Sequence, residues 1–257
     1  MSSVGGITGY VGYNSSITKS YSIGNISATG DQVGGIAGHV DGASYITDSY
    51  SIGNISATGD QVGGIAGHIF GSSITNSYST GDVSGKSSVG GIAGYIVISS
   101  DITNSYSTGD IRGTGNQVGG IAGFVYYATI KNNAAINQKA NGSLDVNRIV
   151  GFIDLNNTVG FIDMSRASES TGNKNAEASD VQNNFAFVDM TTNRGSFSDK
   201  SVPANHGTSK SIDELKSQST YKSGLGWKFG NDKDNPWVWG AFSGYPYPTL
   251  YWQTVAP

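Results

Sequence analysis

Residues 33–61 read VGGIAGHVDGASYITDSYSIGNISATGDQ, and residues 62–88 read VGGIAGHIFGSSITNSYSTGDVSGKSS. The two stretches are one sentence written twice: VGGIAG, a variable bend, I-T-x-S-Y-S, a glycine, and a short apolar–polar run. The VGG element begins at Val4, Val33, Val62, Val89 and Val118, in steps of 29, 29, 27 and 29 residues. A second marker, Ile17, Ile46, Ile74, Ile102 and Ile130, steps by 29, 28, 28 and 28. A period in this range belongs to stacked supersecondary units, none of which buries its apolar face alone. It also argues against an enzyme, because every repeat carries the same surface rather than one assembled site.

Each repeat is expected to hold three extended segments, for example 33–40, 45–52 and 54–57. Gly42, Gly53 and Gly59 or Asp60 fall at the bends, where positive φ is easiest for glycine and next for Asn or Asp. Three strands in about 28 residues make one coil of a parallel β-solenoid, and five coils at ~4.8 Å each give a rod of roughly 24 Å. The expected fold is therefore all-β: a parallel β-solenoid (β-helix) over residues 1–142, then an irregular, β-rich, aromatic C-terminal cap over 143–257. Ile17, Ile46, Ile74, Ile102 and Ile130 form one inward ladder, and Ile26, Ile55, Val83 and Ile111 another. Tyr21, Tyr50, Tyr78 and Tyr106 form an aromatic ladder, flanked by serines that alternation sends to the opposite face.

The fifth repeat decays: Ala134 replaces the tyrosine and Asn137 the glycine. RIVGFIDLNNTVGFIDM (148–164) holds two near-copies nine residues apart, a spacing that suits an antiparallel hairpin turning at Asn156-Asn157. Beyond it, 165–210 is polar except for a strand expected over 185–190. Ser211-Ile212-Asp213-Glu214 is a capping-box pattern opening a helix over 212–218. The tail is aromatic, with Trp227, Phe229, Trp237, Trp239, Phe242, Tyr245, Tyr247, Tyr251 and Trp252.

Composition agrees with a tightly turning β protein. The chain has 257 residues, 38 of them glycine, and only 13% are charged, too few for a disordered linker. A net charge of −4 argues against a nucleic-acid partner. With no cysteine, disulfides and thiolate metal sites are impossible. No apolar run is long enough to span a bilayer and there is no signal-peptide pattern. Met1 leads directly into a VGG element, which reads as a segment of a longer polypeptide whose export signal lies elsewhere.

Gly64-Ile65-Ala66-Gly67 with Asn76-Ser77-Tyr78-Ser79-Thr80-Gly81, and Gly91-Ile92-Ala93-Gly94 with Asn104-Ser105-Tyr106-Ser107-Thr108-Gly109, resemble the GLUG repeat. Isoleucine stands for the leucine of the family's Gly-Leu-x-Gly core. The tail LGWKFG…WVWG…YPYPTLYWQ is similar to the ending that such proteins carry. The resemblance covers about the first 140 residues and the last 35. It implies a secreted, surface-attached spacer or binding module, as in adhesin-like proteins and the non-catalytic parts of immunoglobulin-A-cleaving metalloproteases. It supplies no catalytic residue and no cofactor.

Candidate chemistry is sparse. His39 and His68 lie one repeat apart and stack as a potential metal pair, but the column reads Tyr10, His39, His68, Tyr95, Phe124, so a planar side chain at a corner explains it. There is no H-E-x-x-H motif and no calcium loop. Asn25, Asn54, Asp82 and Asp110 form a turn column in which asparagine serves as well as aspartate. The repeats contain no glutamate, which leaves a glycoside hydrolase as a third-ranked reading. Thr18, Thr47, Thr75 and Thr103, with Ser20, Ser49, Ser77 and Ser105, form hydroxyl columns, a candidate ligand face for ice or polysaccharide. Lys131 interrupts the threonine column. Trp237, Trp239 and Tyr247 are candidates for stacking on glycan rings, or alternatively a cap over the solenoid end. The sequence-level reading is a non-enzymatic extracellular or cell-surface module, serving adhesion or as a stalk. Its expected partner is a host or neighbouring-cell surface protein or glycan, with an ice- or glycan-binding solenoid as the alternative.

Overall fold

A computed structural model of the chain describes residues 2–154, 179–197, 206–253 and 256–257. It is a parallel β-solenoid in which the repeat period becomes the pairing register. Val4, Val33, Val62, Val89, Val118 and Val146 are successive partners in a valine sheet. Ile17, Ile46, Ile74, Ile102, Ile130 and Val181 follow one another in a long sheet. Tyr21, Tyr50, Tyr78, Tyr106, Ala134, Phe185 and Thr208 form a tyrosine sheet. Ile26, Ile55, Val83, Ile111 and Ala140 form a fourth. The interior is filled by these ladders, and Ile36, Ile46, Ile65, Ile74, Ile92 and Ile102 are all fully buried. Burial of each costs nothing in polar groups, because the backbone is satisfied by the neighbouring coil.

A coil is divided more finely than three segments. The second holds strands Val33–Gly34, Ala37–Val40, Tyr45–Thr47, Tyr50–Ser51 and Ile55–Ala57. Gly42 turns with positive φ as expected, whereas Gly53 and Gly59 do not. Two corners instead use non-glycine residues: Lys19, Asp48, Asn76, Asn104, Asn132 and Asn183 at one, Gln32, Gln61, Ser88, Gln117 and Asp145 at the other. Asparagine dominates the first column because its short amide tolerates the left-handed region. Gly53 is glycine for space: a Cβ there would strike the carbonyl of Gly24 in the coil before.

The expected boundary at 142 is not a break in the sheets. Val146-Asn147-Arg148-Ile149-Val150-Gly151 takes the place of VGGIAG, with Ile149 and Val150 fully buried. Val150–Ile153 pairs in parallel with Ala122–Lys131, so the first arm expected of a 148–164 hairpin is instead the next coil. The turn at Asn156-Asn157 and the second arm lie outside the described residues. Asp180–Gln182, Phe185–Phe187 and Thr208–Lys210 add further parallel rungs. Arg148 enters the interior where earlier coils carry glycine; its guanidinium donates to Ser209 Oγ at 3.0 Å and to the Gly207 carbonyl at 3.2 Å. Burial lowers its pKa. The helix spans only Ile212–Leu215, with the capping box of Ser211 and Glu214 formed, before a π-turn at Thr220–Gly224. No helix among the described residues is long and apolar enough to cross a membrane.

Candidate functional site

The hydroxyl columns divide between inside and outside. The left-handed corner at Lys19, Asp48, Asn76 and Asn104 resets the alternation, so threonine points out, serine points in and tyrosine points out again. Ser49, Ser77 and Ser105 are fully buried. Ser49 Oγ accepts from the Ser20 amide, Ser77 Oγ from Ser49, and Ser105 Oγ from Ser77, at 3.2, 3.3 and 3.2 Å. Asn133 and Asn184 extend this ladder with their side-chain oxygens at 2.9 Å each. Each serine hydroxyl also donates to the threonine carbonyl two residues earlier, at 2.9 Å. The serine half of the expected ligand face is therefore internal scaffolding: its hydrogen-bonding capacity is spent between coils. The threonines do face outward; Thr18 is exposed, Thr47, Thr75 and Thr103 are half-buried, and Thr75 Oγ1 lies 3.2 Å from Thr103 Oγ1. The column beside them, Ser16, Tyr45, Ser73 and Asp101, breaks up a flat hydroxyl plane. Asn25, Asn54, Asp82 and Asp110 behave as the turn column expected: the side-chain oxygens of Asn25, Asn54 and Asp82 each accept the next coil's amide at 2.9 Å.

The tyrosine ladder stacks on the outside of the coils. Ring centroids are 5.2, 5.1 and 4.8 Å apart along Tyr21, Tyr50, Tyr78 and Tyr106, with interplanar angles of 8°, 3° and 5°. The C-terminal region lies along this face rather than over the end of the rod. Trp227 and Trp237 stack at 4.5 Å and meet Tyr106, and Trp237 also meets Tyr78. Further along, Trp252 reaches Tyr50 and Tyr21. Tyr106 OH donates to the Pro248 carbonyl at 2.7 Å, Tyr78 OH to Gln253 Oε1, and Trp227 Nε1 to the Asn132 carbonyl at 2.8 Å. Lys19 Nζ sits 5.2 Å above the Tyr251 ring. An apolar outer face four rings tall needs a cover, and this one is aromatic because large flat side chains bury most area per residue. Burial raises the tyrosine pKa values: Tyr50 to about 12, Tyr78 and Tyr106 further.

This arrangement separates the three glycan candidates. Trp237 is fully buried and unavailable to a sugar. Trp239 is half-buried against Tyr221 and Phe229. Tyr247 lines a cleft of about 560 Å³ between the tyrosine sheet and the C-terminal region, floored by Ile136, Phe187 and Ile212 and rimmed by Thr108, Gln138, Lys139, Asp189 and Thr191. Sequence reasoning missed Gln138, Lys139 and Asp189, which no repeat position marks.

On the long sheet, His39 and His68 stack at 4.5 Å, flanked edge-on by Tyr10 at 5.4 Å and Tyr95 at 5.1 Å. His68 Nδ1 is 3.2 Å from Gln32 Nε2. Among the described residues no group of three His, Asp or Glu is placed to hold a metal. Burial, then the neighbouring His39, lowers the His68 pKa to about 3. The native ring thus binds its proton less readily than the unfolded one, whose pKa is about 6.5. Stability should accordingly fall as pH drops below about 6.5, by at most about 1.4 kcal/mol per unit from this group. H68F, which keeps the ring column, should flatten that dependence; equal slopes for variant and parent in denaturant titrations from neutral to acid pH would contradict it.

Comparison with known proteins agrees with this geometry. A crystal structure from Bacteroides ovatus named "putative immunoglobulin A1 protease" has the same fold, with a TM-score of 0.65 at 21% identity, covering 97% of this chain and 75% of that one. No curated protein matches the sequence significantly. The GLUG motif matches residues 58–84 and 85–112. That match falls on two adjacent repeats at the centre of the rod.

Proposed function

We propose that the chain is a non-catalytic module of a secreted or cell-surface bacterial protein, acting as an adhesive stalk or spacer. The observation that carries this reading is the continuity of the ladders: backbone bonding runs from coil to coil, leaving a regular outer surface with no assembled reactive group among the described residues. The GLUG motif and the fold shared with a protein named as a protease support placement in a large secreted polypeptide. Antibodies raised against residues 33–131 should label intact cells that express the gene. Labelling only after permeabilisation would overturn the surface assignment.

The Tyr247 cleft favours a second reading, recognition of a glycan. Its floor is apolar, and no hydrogen bond or ion pair among the described residues engages the Gln138, Lys139 or Asp189 side chains. A pyranose presents the complementary pattern, an apolar CH face and hydroxyl edges. Saturable binding to a glycan array, lost in Y247A with unchanged melting temperature, is the expected result. Binding that survives Y247A would place any sugar site elsewhere.

A further inference from the structure

The first coil is built for a neighbour that the structure does not show. In the glycine column Gly24, Gly53, Gly81, Gly109, a Cβ at any of the last three would collide with the carbonyl of the glycine one coil earlier, whereas at Gly24 it would meet nothing within 4 Å. Gly24 has no positive φ to explain it either. The Asn54 amide is held by Asn25 Oδ1 and the Asp82 amide by Asn54 Oδ1, while Asn25 stands at the head of that column. The Tyr50 and Ile52 amides donate to the Ser20 and Ser22 carbonyls; Tyr21–Ser22 ends its sheet. Columns sealed in the next coil open here: Ile7 is 45% and Tyr21 42% exposed, against 0% for Ile36 and Tyr50. Ile23 and Tyr13 are exposed beside them. Residues 2–31 carry only Lys19 and Asp31 as charges, and Lys19 is drawn over Tyr251, so the edge lacks the charged guards that keep unpaired strands apart.

We infer that this edge is a docking surface for one more coil of the same repeat, entering in parallel register. Only a coil of this type sets a glycine carbonyl over Gly24, an Asn or Asp oxygen before the Asn25 amide, and a tyrosine ring on the open face of Tyr21. The far end of a second copy does not present these groups. There the glycine pair is replaced by Asn147-Arg148 and the tyrosine by Phe185 and then Thr208.

The test is a chain in which a copy of residues 33–61 replaces residues 1–3, so that Gln61 of the copy leads into Val4 as it leads into Val62. The Tyr21, Ile23 and Asn25 amides should gain hydrogen-exchange protection equal to that of Tyr50, and the melting temperature should rise. G24A should be silent in the original chain yet lower the melting temperature of the extended chain as much as G53A does. An added coil that stays unprotected, an extended chain that fails to fold, or a silent G24A in both backgrounds would overturn the inference. So would a dimer of the original chain that already protects the same amides, since the occupant would then be a second copy's edge.

Discussion

I74D should abolish folding of several coils at once. Ile74 is fully buried, with Ile46 and Ile102 directly below and above it in register. Truncating a buried isoleucine costs about 2–5 kcal/mol in packing alone, and an unpaired carboxylate in the apolar interior adds several more. Domains of this kind have about 5–15 kcal/mol in total. Because each coil's amides are satisfied only by its neighbours, the damage spreads along the stack instead of staying in one rung. Circular dichroism should show loss of strand signal, and hydrogen exchange should show simultaneous loss of protection at Ile46, Ile102 and Ile130. T75D, one residue away but pointing outward, should stay within about 0.5 kcal/mol of the parent. Loss of protection confined to residues 73–75 in I74D would mean that the ladders are not one cooperative core.

The ladders were legible because a repeat period forces equivalent residues into contact; valine, isoleucine, tyrosine and Asn/Asp columns follow from arithmetic on residue numbers. What alternation misread was the side on which serine falls. A left-handed corner at Asp48 or Asn76 adds half a turn that no glycine announces, so Ser49 and Ser77 go inside. The coil at 146–151 was hidden because both glycines had become Asn147 and Arg148. The surviving signal was spacing, V-x-x-I-x-G 28 residues after Val118. The aromatic tail announced a cover but not its place. Its contacts join residues 139, 142 and 175 positions apart, and no local pattern encodes a partner at such a distance. The same reason hides the Tyr247 cleft, whose lining residues come from five separate parts of the chain.

W237A tests that lateral cover, and it should detach the C-terminal region while leaving the rod standing. Trp237 is fully buried between Trp227 and the rings of Tyr78 and Tyr106. Its truncation should cost about 3–5 kcal/mol, drawn from the contact between the C-terminal region and the tyrosine sheet rather than from the interior, where none of its neighbours lies. Near-ultraviolet circular dichroism should collapse while the far-ultraviolet strand signal persists, and proteolysis should remove 212–257 first. Titration gives an independent readout. Buried Tyr78 and Tyr106 hold their protons well above the usual tyrosine value, so the cover contributes stability that is complete below about pH 10 and lost as pH rises through the raised values. In W237A the two phenols should ionise near pH 10, seen as tyrosinate absorbance appearing earlier than in the parent. A single transition in which strand signal and tyrosine environment vanish together would show instead that the tail and the coils form one indivisible core.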